Sequence, residues 1–245
     1  MLAVYEMIRG LHIAGGAVGL LAMLVPVFSR KGSRWHRRVG QVFAVSMILA
    51  GVTGVVMSAA WLAIPSAFVT EAEVASKRVS GLFLATIALL MLCSVQQMLR
   101  SLVRKRAPAP HASWLDLALP VASGITGGVS LSVGMLVMAP LLMGFGALTA
   151  MGAVGDLRFV LRPLVTPKAW WYQHMQGAMG AMISAITAFT VFGGSRLFSG
   201  LVPDALGWVP WVAPTVLILP VGLVWTARWR RRFGEHVPQR PVVAG

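Results

Sequence analysis

Ser29-Arg30-Lys31-Gly32-Ser33-Arg34-Trp35-His36-Arg37-Arg38-Val39-Gly40 places five cations within twelve residues. Apolar runs flank it on both sides, each near the ~20 residues that cross ~30 Å of hydrocarbon. A short basic loop between two such runs marks a chain that turns at a membrane face.

The pattern repeats along the 245-residue chain. Apolar segments fall at about 5–28, 39–63, 79–99, 115–136, 138–155, 171–194 and 208–227. The chain is 57% hydrophobic and 11% charged, against roughly 25% charged in a soluble domain. These features predict an all-α fold: a polytopic transmembrane bundle of about seven helices. One domain spans 1–237, and 238–245 reads as a disordered tail. The fourth and fifth segments form one apolar stretch broken near Ala139 and Pro140. A proline there ends a helix or kinks it, so residues 115–155 read as two helices or as one kinked helix.

Seven crossings put almost all of the positive charge at one end of the bundle. Loop one carries five Lys or Arg residues. Arg100, Arg104, Lys105 and Arg106 follow the third helix, and Arg158, Arg162 and Lys168 follow the fifth. Arg228, Arg230, Arg231, Arg232 and Arg240 close the chain. The opposite end has Arg9, Lys77, Arg78 and Arg196, balanced by Glu6, Glu71, Glu73 and Asp204. The positive-inside bias then predicts an outside N-terminus and a cytoplasmic C-terminus. Six crossings would scatter the clusters. The net charge of +14 is therefore read as topology, and nucleic acid is excluded as a partner. The bilayer is the expected partner, with a membrane subunit or a second copy as a further one. The nine tryptophans fall near predicted helix ends, where amphipathic rings sit at the interface. The first run lacks a basic leader region and reads as a retained helix. Cys93 is the single cysteine, so no intrachain disulfide forms.

No Asp, Glu, Lys or Arg falls at the predicted hydrocarbon centre, which argues against an ion pump. Phosphate-binding and dinucleotide glycine loops are absent, as is a nucleophile elbow. Histidine remains. His111 and His236 lie in polar segments. His12 lies two turns into the first helix, beside Glu6 and Arg9. His36 precedes the second helix, and His174 opens the sixth, followed by Gly177 and Gly180. These glycines either clear a face for a flat cofactor or admit a close neighbour helix. His12-x-x-Gly15 and His174-x-x-Gly177 share a spacing on helices that run in opposite directions, as in an inverted repeat.

His36 and His174 fall at one membrane depth. A b-type haem there would take both as iron ligands, with Arg37 or Arg38 near its propionates. His12 would be a second, outer polar site. Zinc fits less well, since it wants three protein ligands.

Arg34-Trp35-His36-Arg37-Arg38-Val39-Gly40-Gln41-Val42-Phe43 resembles a family of uncharacterised bacterial predicted multi-pass membrane proteins. Those carry a first-helix histidine, a His-Arg-x-x-Gly motif opening the second helix, and a later helix that begins with histidine and runs into Thr-Ala-Phe. The matching residues here are His12, His36 to Gly40, His174 and Thr187-Ala188-Phe189. The resemblance implies a multi-pass protein of a bacterial inner membrane and no particular activity. Histidine placement is also similar to di-haem cytochromes of the b561 type, although the paired histidines expected on four core helices are incomplete. Two functions follow: a haem-binding or redox membrane protein using His36 and His174, or a non-catalytic facilitator or accessory subunit packing through Gly-rich helices.

Overall fold

A computed structural model describes residues 2–105, 112–162, 164, 166–194, 203 and 206–235. Among them are helices and turns but no strand. The helices are α1 (Leu2–Ala22), α2 (Leu24–Phe28), α3 (Arg34–Ala63), α4 (Val74–Arg104), α5 (Trp114–Leu136), α6 (Pro140–Leu161), α7 (Ala169–Ala188) and α8 (Val209–Arg232). α1 and α2 form one span, and α7 runs on through a π-helical turn at Phe189–Gly194. Seven spans are thus long and apolar enough to cross a membrane. His111, His236 and the segment 238–245 lie outside the described residues.

Most spans extend past the apolar runs. α3 begins at Arg34 rather than at 39, so His36 sits in a helix and not in the loop before it. α4 reaches Arg104, α6 reaches Leu161 and α8 reaches Arg232. Hydropathy undercounts these ends because Arg and Lys stems continue an apolar surface while their heads reach water.

Two of the boundaries have local causes. Pro26 lacks the N–H that would bond Ala22, and the first span breaks at Met23. At Val137–Ala139 the chain reverses: Met138 takes φ 53° and Pro140 starts α6, where its missing N–H costs nothing. Residues 115–155 are therefore two helices in a hairpin. Small residues close it. A β-carbon on Gly146 would lie 2.5 Å from the Leu131 nitrogen, and one on Gly127 would lie 2.7 Å from the Ala150 nitrogen. Backbones approach this closely only where side chains are absent.

α1, α3, α4 and α7 close into a ring, each touching the next. Phe43, Met47, Met91, Val95, Met98 and Ala181 fill its centre. The α5–α6 hairpin leans on α4 from outside, and α8 leans on α7. Thr86 and Ser130 share a hydrogen bond that ties α4 to α5. α4 thus touches four other spans, and every site described below uses it or borders a helix that does. The other spans turn many large apolar side chains outward, among them Ile125, Met151 and Leu217. Such faces suit lipid.

Candidate functional site

Ser33 caps α3: its hydroxyl accepts the His36 backbone N–H at 3.2 Å. The cap fixes His36 in the first turn, next to the end of α2. There the Pro26 carbonyl is left without a helical partner. It accepts the Lys31 ammonium at 2.7 Å and faces His36 Nδ1 at 3.2 Å. Lys31 also reaches the Val27 carbonyl at 2.8 Å. Partial burial in this cap lowers the ammonium below its ordinary pKa.

His174 lies in the second turn of α7, and its Nδ1 is 2.9 Å from the Met98 carbonyl on α4. The His36 and His174 rings approach to 6.4 Å between centroids, with planes at 64°. A carbonyl only accepts, so Nδ1 carries the proton in both rings. A neutral ring then leaves Nε2 with a free lone pair. Ligating histidines characteristically have this arrangement, with the second nitrogen donating to a carbonyl. Arg37 and Arg38 are exposed on the same turn of α3.

His12 belongs elsewhere. Its Nδ1 lies 2.8 Å from the Ala50 carbonyl and 3.2 Å from Thr53 Oγ1. Fourteen residues of α3 separate Ala50 from His36, about 21 Å at 1.5 Å per residue. The structure brings His36 and His174 together and leaves His12 apart.

His12 and His174 nevertheless make the same contact. His12 faces the Ala50 carbonyl, and a β-carbon on Gly15 would lie 3.2 Å from the Ser46 carbonyl one turn away. His174 faces the Met98 carbonyl, and a β-carbon on Gly177 would lie 2.6 Å from the Ser94 carbonyl one turn away. The shared His-x-x-Gly spacing is thus a way of docking a helix. One histidine bonds a carbonyl while the glycine admits the next turn. The histidine helix precedes its partner in one pair and follows it in the other, whereas a duplicated pair would keep its order. Gly177 and Gly180 lie against Ser94 and Met98, so α4, and no flat ligand, occupies that face.

Other charges at the basic end hold the structure. Arg100 pairs with Asp116 at 2.6 Å, where Asp116 is 2% exposed. The Asp116 carboxylate also accepts the Ser113 N–H and hydroxyl at 2.8 Å each, capping α5. Arg104 is buried and donates to the carbonyls of Phe159 and Arg162, closing the end of α6. Glu235 accepts Thr166 Oγ1, the Lys168 N–H and the Tyr172 hydroxyl at 2.8–2.9 Å. Burial pushes its carboxyl up, but these donors and the Lys168 charge outweigh that and hold it below the usual range.

No cluster of three or more His, Cys, Asp or Glu suited to a metal occurs among the described residues. One feature escapes the sequence reading. Gln97, Gln173 and Asp156 meet beside Cys93 in a cleft outside the ring, although Asp156 counts from the sequence as a helix-end charge. The signal was present as Gln96-Gln97 within one span and Gln173-x-x-Gln176 within another.

Comparison with known proteins finds no matching family model, no matching curated protein and no matching solved structure.

Proposed function

We propose that this multi-pass membrane protein binds a redox cofactor at the basic end of its helical ring, where His36 and His174 would hold the iron of a b-type haem. The approach of the two rings carries this reading. The observed separation is 6.4 Å, and both Nδ1 atoms already face carbonyls. Two imidazoles whose Nε2 lone pairs are left free are a donor set that would suit haem iron. Arg37 and Arg38, exposed on the same turn of α3, would hold the haem propionates. Bound haem supplies one-electron transfer, and the residues around it set its potential. The positive-inside bias supports a cytoplasmic basic end, and the resemblance carried by Arg34 to Phe43 supports a bacterial inner membrane.

Purified protein from haem-replete cells tests the reading. A reduced-minus-oxidised Soret band is expected, lost in His36→Ala and in His174→Ala and retained in His12→Ala. Colourless wild-type protein would refute the proposal.

A further inference from the structure

Asp156 lies five residues before the end of α6, about 8 Å along the axis. It borders a cleft of about 230 Å³ between α4, α5, α6 and α7. Around it are the carboxamides of Gln97, Gln173 and Gln176 and the hydroxyls of Ser94 and Ser123. Gln97 donates to Gln173 at 2.7 Å, which holds two of the amides in place across α4 and α7. Gly152 and Gly155 keep the walls low.

Two groups here are short of partners. Among the described residues none makes an ion pair or a hydrogen bond with Asp156. The nearest basic residue on its own helix, Arg158, is exposed. Arg100, across a narrow void that Asp156 also borders, is paired with Asp116. The second group is Ser123, 1% exposed, whose hydroxyl has no partner besides the weak thiol of Cys93. A carboxylate within a membrane span is costly unless a counter-charge meets it, and a buried hydroxyl without a partner is costly too. Both face the same space. Three carboxamides and a second hydroxyl complete a wall rich in oxygen acceptors.

From this we infer that the Asp156 cleft is a binding site for an ammonium group, whose charge pairs with the carboxylate and whose N–H donors meet the surrounding oxygens. The volume accommodates a small amine. Gln176 and Gly155 are exposed where the cleft opens between α6 and α7, so the ammonium comes either from a free amine in water or from the headgroup of an aminophospholipid. The site does not involve His36 or His174, and its failure leaves the haem reading intact.

Cys93 borders the cleft and is the single cysteine, so it reports on it directly. Protein in phosphatidylglycerol nanodiscs is treated with a cationic or an anionic methanethiosulfonate, and each rate is normalised to that with a free thiol. The cationic reagent should be favoured roughly fivefold or more, and Asp156→Asn should remove the preference. Asp156→Glu should keep it and Gln173→Lys should invert it, which covers a poorly folding Asp156→Asn. Protection of Cys93 by methylammonium identifies a free amine as the ligand. Protection by phosphatidylethanolamine in the disc, without an effect of methylammonium, identifies the headgroup. Overturning results are a wild type without charge preference, a preference that survives Asp156→Asn, a thiol inert to both reagents, or protection by neither ammonium source.

Discussion

Gly177 sits so close to Met98 that a β-carbon on it would lie 2.5 Å from the Met98 backbone nitrogen. A flexible side chain could swing aside, but a backbone atom cannot. Gly177→Ala must therefore push α7 off α4, at a cost of about 1–3 kcal/mol. Gly15→Ala should cost less, since its nearest neighbour is 3.2 Å away, and Gly16→Ala should be neutral because nothing lies within 4 Å. Thermal unfolding in detergent would rank the three. Equal loss in all of them would contradict the docking geometry.

Asp116 is the better buried partner of its ion pair. Its carboxylate is 2% exposed and Arg100 is 29% exposed. Removing Asp116 deprives Ser113, Gln96 and Arg100 of one acceptor at once. Asp116→Ala should lower stability by about 3 kcal/mol, the range for stranding a partner of a buried pair. Arg100→Lys, which keeps the charge, should cost clearly less. Chemical denaturation of the two variants would check the order.

His12→Ala and His174→Ala remove the same type of hydrogen bond, each to a carbonyl of the neighbouring helix. Each should cost about 1 kcal/mol. Asparagine at either position can still donate to the carbonyl and should recover part of the loss. On the proposed haem reading the two variants should diverge, with the Soret band lost only in His174→Ala.

Glu235 gives the chain an acid limit. Its pKa lies below the ordinary glutamate value in the folded protein. A carboxyl depressed by folding stabilises the protein above its unfolded pKa, and this contribution fades as the pH falls through the folded value. Melting temperature should therefore decline below about pH 4.5, less steeply in Glu235→Gln. Melting curves between pH 7 and pH 3 should also place Glu235→Gln below wild type at neutral pH. Parallel curves for the two proteins would show that the contacts of Glu235 with Thr166, Lys168 and Tyr172 carry no pH-dependent stability.

The seven spans were legible because each needs about twenty apolar residues and the basic clusters punctuate them. Their ends were less so: Arg34 to Arg38 read as a loop because composition cannot distinguish a helix end rich in arginine from a connector. The approach of His36 to His174 was legible as shared depth, since depth follows from topology. That Gly177 serves helix docking was not, because spacing alone leaves a close neighbour and an open cofactor face equally available. Asp156 was missed for a related reason. It stands near a helix end in sequence, and only the lean of the α5–α6 hairpin against α4 places it beside Gln97 and Cys93.

The ring has a consequence for how the chain is made. α1, α3 and α4 emerge from the ribosome early, but the ring closes only when α7, the sixth span, enters. Until then the Ser94 and Met98 face of α4 has lipid or the insertion machinery against it, and His174 has not reached the Met98 carbonyl. The two candidate ligands are thus assembled late in synthesis, and a nascent chain halted after α6 would hold His36 without its counterpart. Cofactor loading would then have to follow insertion of the sixth span, however early the first histidine is in place.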